Sequence, residues 1–152
     1  MPPFETTIHA RWGEMDFNGH MKNTAYLDAG ADARMMFFSQ NGFAMREFEQ
    51  RRIGPVISRD ELDYFREVRM LENVRVTLVT AGSSEDGSRF RLRNEFFRLD
   101  GERVARVTST GGWLDLDKRR LTVPPPDLKS LMEQLERSDD FEVLRSSLTP
   151  RP

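Results

Sequence analysis

The chain has 152 residues, 38% of them hydrophobic and 32% charged, with a formal net charge of −2 at pH 7. That length suits one domain able to bury roughly two-thirds of the surface its unfolded form exposes, and the balanced charge carries no electrostatic footprint for nucleic acid. Cysteine is absent, which excludes disulfides, thiolate metal sites and a cysteine nucleophile.

Met1-Pro2-Pro3-Phe4-Glu5 lacks the basic and apolar regions of a secretory leader. No apolar run approaches the ~18 residues that suggest a membrane span. The expectation is a cytoplasmic protein with no membrane association.

Phe4 to Trp12 reads as a strand, with β-favouring Thr6, Thr7 and Ile8. A turn follows from Glu14 to Lys22. From Asn23 to about Gln40, Tyr26, Ala29 or Gly30, Ala33 and Phe37 recur at helical spacing, and Asn41-Gly42 supplies a stop. The buried face of this helix is small in the middle, so a sheet wrapped closely around it would fit. A short helix is expected over Ala44 to Gln50.

The period then changes to two. Strands are expected at Val56 to Phe65, Val74 to Ala81, Arg89 to Leu99 and Arg103 to Leu116, with Asp100-Gly101 as a hairpin signal between the last two. Gly111-Gly112 inside the final strand predicts a bulge or a close approach of another backbone. Arg89, Arg91 and Arg93 alternate on their strand and read as a solvated sheet face. After Pro124-Pro125-Pro126, a helix from Asp127 to Arg137 carries the apolar stripe Leu128, Leu131, Met132 and Leu135, read as docking on the domain. Residues 1–137 are expected to form the single domain and 138–152 a flexible polar tail. The fold class is α+β: an antiparallel sheet of about five strands around one long central helix, with a C-terminal helix.

Arg11 to Tyr26 concentrates the reactive groups. Glu14, Asp16, Asn18, His20 and Asn23 surround a glycine turn that runs into the long helix. A carboxylate there lies close to helix N-terminal amides, which can hold a developing oxyanion. Asp16 also has a local reading as an Asx-turn residue. Glu14 is expected to be exposed or paired with Arg11. His20 either orients Asp16 or a water, or hydrogen-bonds the turn. Gly19 is expected at positive φ. Asn23 is expected to cap the helix, and Tyr26 is open between core packing and a substrate contact.

Other chemistries fit less well. A calcium loop would need Glu where Ala25 stands, and only His9 remains as a second imidazole for a metal shared by Asp16 and His20. The serine-hydrolase elbow, the dinucleotide glycines and the phosphate-binding loop are missing from the sequence.

The pattern Arg11-Trp12, Glu14, Asp16, Gly19-His20, Asn23, Tyr26 resembles the signature of hotdog-fold acyl-CoA thioesterases of the 4-hydroxybenzoyl-CoA thioesterase type. The resemblance covers about residues 4 to 123. It implies that Asp16 is the catalytic carboxylate, acting as nucleophile or as general base on water. His20 assists, and amides around Asn23 and Thr24 polarise the thioester carbonyl. Asn18, Gly19 and Tyr26 are then the substrate-binding residues, with no metal. It further implies an acyl-CoA or acyl-carrier-protein substrate, with coenzyme A only as part of that substrate and no retained cofactor. The assembly it implies is a homodimer joined sheet edge to sheet edge, or a homotetramer, with active sites at the dimer interface.

The chain departs from the family in having Met21-Lys22 before Asn23 and Ala31 at one of two helix positions that are often acidic. Its long helix offers Asp28 and Asp32 but no Glu, which disfavours a catalytic helix carboxylate. Two other readings stay open: a non-catalytic hotdog module that binds acyl thioesters, and a hydratase or dehydratase using His20 with Asp16.

Overall fold

A computed structural model describes residues 2–150. β1 (Phe4–His9) leads through a 3-10 turn (Trp12–Glu14) to the long helix α1 (Ala25–Gln40), then to α2 (Met45–Arg51). Four long strands follow: β2 (Ile53–Tyr64), β3 (Asn73–Ser84), β4 (Arg89–Arg98) and β5 (Arg103–Asp115). The short β6 (Arg120–Thr122), α3 (Pro126–Glu133) and β7 (Arg137–Leu144) complete the chain. The sheet runs β1-β3-β4-β5-β2, with β6 added beside β5 and β7 beside β3.

The strands pair antiparallel except β7, which runs parallel to β3. Alternation places Phe90, Leu92, Asn94 and Phe96 of β4 inward and Arg89, Arg91, Arg93 and Glu95 outward, as period-two geometry requires. α1 lies across the inward face. Its N-terminal half packs Tyr26, Ala29 and Ala33 against Val74, Val76, Phe96 and Val107. Its C-terminal half sends Phe37 and Phe38 into a second cluster with Phe48, Trp113, Leu128 and Leu131. The small residues midway along α1 permit the close approach expected of them: a Cβ on Gly30 would sit 2.8 Å from Asn94 Oδ1.

The Gly111-Gly112 expectation is also met. Gly111 pairs with Ile57 and Thr110 with Arg59, leaving Ser58 as the extra residue of a bulge in β2. A Cβ on Gly111 would overlap the Val56 carbonyl oxygen. At the hairpin, Gly101 adopts φ +93° and donates its amide to the Arg98 carbonyl at 2.9 Å.

Among the boundaries that differ from the sequence reading, three stand out. β1 stops at His9 instead of continuing to Trp12, because Glu14 accepts from both the backbone N (2.9 Å) and Nε (3.1 Å) of Arg11 and curls the chain into the 3-10 turn. α3 ends at Glu133, although Leu135 beyond it is still buried.

The third difference concerns the tail. Residues expected to be loose from Ser138 onward instead contribute most of β7, so the sheet has seven strands where about five were expected. The outward arginines of β4 explain the attachment. Arg93 forms a bidentate pair with Asp140 at 2.7 and 3.1 Å, and Arg91 pairs with Glu142. Beyond β7, Ser146 and Ser147 bond to Asp86 and Ser88 in the β3–β4 loop.

Candidate active site

The segment from Glu14 to Lys22 folds as a miniature hairpin. Met15 and Met21 form an antiparallel bridge, and the Lys22 amide donates to the Glu14 carbonyl at 2.7 Å. Asp16 and His20 close it, with the Asp16 amide bonded to the His20 carbonyl at 2.8 Å. Gly19, at φ +74°, makes the reversal at no steric cost. The hairpin is fastened to the body by residues 66–72: the Met21 amide bonds the Val68 carbonyl at 2.7 Å, and His20 bridges Arg69.

This geometry holds Asp16 by one carboxylate oxygen. Oδ1 accepts the amides of Asn18 (2.8 Å) and His20 (3.1 Å). Among the described residues Oδ2 has no hydrogen-bond partner, and the side chain is exposed. The Asx turn and a catalytic role are therefore compatible in one residue, since the turn fixes one oxygen and leaves the other without a partner among the described residues.

Asp16 borders an open cleft of about 360 Å³ with His20, Met21, Asn23, Tyr26 and Tyr64. At its edge α1 begins. The Ala25 amide is already engaged by the Lys22 carbonyl at 3.0 Å, whereas among the described residues the amides of Asn23 and Thr24 have no partner within the chain. Two consecutive free N–H groups at a helix start form a site for negative charge.

Of the residues singled out in the sequence, Asp16, His20, Asn23 and Tyr26 meet at the cleft. Asn18 and Gly19 are exposed and act through their backbone in the turn. Thr24 is the helix N-cap, and no side chain caps the helix there, so the capping expected of Asn23 is not made. His20 meets Asp16 through its backbone amide, with no imidazole bond to that carboxylate among the described residues. Glu14 pairs with Arg11 as expected: burial works to raise its pKa, but the Arg11 bonds outweigh that and hold the carboxyl below its ordinary value.

The sequence reading missed Tyr64. Its hydroxyl donates to the Asn23 carbonyl at 3.1 Å, and its ring meets Tyr26 edge-on at 5.6 Å. Tyr26 is almost wholly buried and also packs edge-on against Phe96, so it serves the core while bordering the cleft. Burial, followed by the neighbouring Tyr64, pushes its phenol pKa up to about 12. Arg66 and Glu67 line the outer edge of the cleft. No local pattern marks these residues, which arrive from the β2–β3 connection. Among the described residues, no group of three His, Asp or Glu side chains is placed to hold a metal.

Known proteins share this fold. No curated protein sequence matches the chain. Among solved structures, a Staphylococcus aureus protein in complex with CoA superposes with a TM-score of 0.80 at 19% identity, covering 86% of this chain and 82% of that one. A 1,4-dihydroxy-2-naphthoyl-CoA thioesterase from Synechocystis gives 0.78 at 14% identity, covering 88% and 97%. A DHNA-CoA thioesterase from Staphylococcus aureus gives 0.78 at 21%, covering 87% and 89%. At such identities the likeness establishes the fold. The family model described as the thioesterase-like superfamily matches residues 10–132, a span that includes the Asp16 hairpin, α1 and all four long strands. The chain therefore belongs to the thioesterase-like superfamily and has the hotdog fold.

Proposed function

We propose that the protein hydrolyses an acyl-CoA thioester, or its acyl-carrier-protein equivalent, to a free acid and a thiol. The observation that carries this reading is that a half-anchored Asp16 carboxylate borders the same cleft as Asn23, whose amide, like that of Thr24 beside it, is free at the helix start. The thioester carbonyl sits at the start of α1, its oxygen toward those amides. Oδ2 of Asp16 either attacks the carbonyl carbon, giving an anhydride that water then opens, or takes a proton from the attacking water. On both routes the C–S bond breaks, the sulfur leaves with a proton, and one water is consumed. Donors of this kind typically contribute ~10²–10³ in rate.

CoA as the carrier is supported by the bound CoA of one structural neighbour and the CoA thioester named for two others. Among the described residues β2 pairs only with β5 and ends the sheet, which supports a homodimer joined along that edge, alone or doubled into a tetramer. Among the described residues no helix is long and apolar enough to cross a membrane; a cytoplasmic location completes the proposal.

The test is thiol release from a panel of acyl-CoAs. Asp16→Asn is expected to reduce kcat by at least 10³, and full activity in that variant would refute the assignment. A single turnover in H₂¹⁸O separates the routes: label appears in the Asp16 carboxylate only if it is the nucleophile. Ligand-dependent shifts in melting temperature without turnover anywhere on the panel would favour a binding module instead.

A further inference from the structure

A second cavity, of about 170 Å³, lies between the middle of α1 and the edge of the sheet. Ala31, Met35, Phe38, Ile57 and Leu92 give it apolar walls, and Arg34 is the one charged residue among those lining it. For scale, an engineered apolar cavity of ~150 Å³ admits a benzene ring. Arg34 is half-buried, and its direct partner is a neutral hydroxyl: Nη1 donates to Ser109 Oγ at 3.1 Å. The nearest acid in this chain of bonds is one step further on, where Ser109 Oγ donates to Asp60 Oδ1 at 2.5 Å. Among the described residues Arg34 makes no ion pair, and its remaining N–H groups have no partner. Burial lowers its pKa, partly offset by Asp60.

A guanidinium in apolar surroundings is stabilised by an anion that matches its planar fork. The protein supplies one only at second hand. We infer that Arg34 receives a carboxylate at the far end of the acyl group, so that the preferred substrates are ω-carboxyacyl thioesters. The inference rests on the thioesterase reading for the position of the carbonyl.

Geometry sets the chain length. Arg34 is ten residues beyond Thr24 on α1, or ~15 Å along the axis. Leu27, Ala31 and Met35, one turn apart and each half-buried, form the stripe along which the tail runs. An extended chain gains ~3.3–3.6 Å for every three bonds, so reaching Arg34 takes roughly twelve to fourteen bonds.

The test has a binding arm and a turnover arm. Calorimetry with monomethyl dodecanedioate and methyl dodecanoate, which differ only in the ω-carboxylate, is expected to show at least tenfold tighter binding of the former. Dodecanedioyl-CoA is expected to exceed dodecanoyl-CoA at least tenfold in kcat/KM. Arg34→Gln should bring each pair together. Equal affinities in the unaltered protein, or a preference that survives Arg34→Gln, would overturn the inference. Equal affinities in the unaltered protein overturn the inference even if the variant does not fold. Preference for the ω-carboxylate without any hydrolysis would sink the thioesterase reading and leave the Arg34 site standing; hydrolysis without the preference would do the reverse.

Discussion

The Tyr64 hydroxyl donates a 3.1 Å hydrogen bond to the Asn23 carbonyl, so the last residue of β2 fastens the peptide just before the central helix. That carbonyl belongs to the same peptide unit as the free Thr24 amide, and fixing one end of a planar unit fixes the other. Tyr64→Phe is therefore expected to cost about 1 kcal/mol in stability and to lower kcat about tenfold with a smaller change in KM. Steady-state kinetics beside a urea melt would check this, and an unchanged kcat would remove Tyr64 from the site.

Gly19 offers a cleaner separation of turn geometry from packing. A Cβ there would meet nothing within 4 Å, yet φ is +74°, so Gly19→Ala brings backbone strain and no clash. The expected destabilisation is about 1–2 kcal/mol. Because the strain is released by opening the hairpin, Asp16 loses its amide anchors and kcat/KM should fall at least tenfold. Gly19→Asn, which tolerates this region better, should recover most of both losses.

How much of this could be read from the sequence follows from the range of the interactions involved. The Asp16 turn was legible because its stabilising bonds span two to four residues. Tyr26, Ala29, Ala33 and Phe37 declared α1 through their spacing, and all four are buried. Tyr64 was not legible: its partner is 41 residues away, and only the return of β2 past the helix start joins them. β7 escaped for a related reason. Arg-Ser-Asp-Asp-Phe-Glu-Val-Leu has the composition of a polar tail, and its attachment comes from Arg91 and Arg93, about 50 residues earlier.

Tyr26 links burial to pH. Its folded pKa is raised to about 12 from 10.0, so folding favours the protonated phenol. That contribution is fully present below pH 10 and is lost as pH rises toward 12. Stability of the unaltered protein should therefore fall across this interval more steeply than that of Tyr26→Phe. Parallel denaturation curves for the two proteins between pH 9.5 and 12 would contradict the burial argument.

Asp86 ties the C-terminal segment to the β3–β4 loop. Its carboxylate accepts from Ser84 Oγ (2.7 Å), Ser88 N (3.0 Å), Ser88 Oγ (2.7 Å) and Ser146 Oγ (2.5 Å). Burial acts to raise its pKa, but these four donors prevail and hold the group well below the usual carboxylate range. A depressed folded pKa means stability present above the unfolded value near 4 and lost as pH falls below it. Asp86→Ala should destabilise by about 2 kcal/mol at pH 7, given charge-assisted bonds at a partly exposed site. The difference should begin to shrink as pH falls below 4 and should persist in part at pH 2, because the folded carboxyl is held well below the usual range and stays ionised there. Hydrogen exchange should quicken across residues 144–148 and leave the Asp16 hairpin unchanged, because no bond in the Asp86 cluster reaches that end of the sheet. Faster exchange at the hairpin as well would mean that the C-terminal segment supports the catalytic end of the fold and is more than a local fastening.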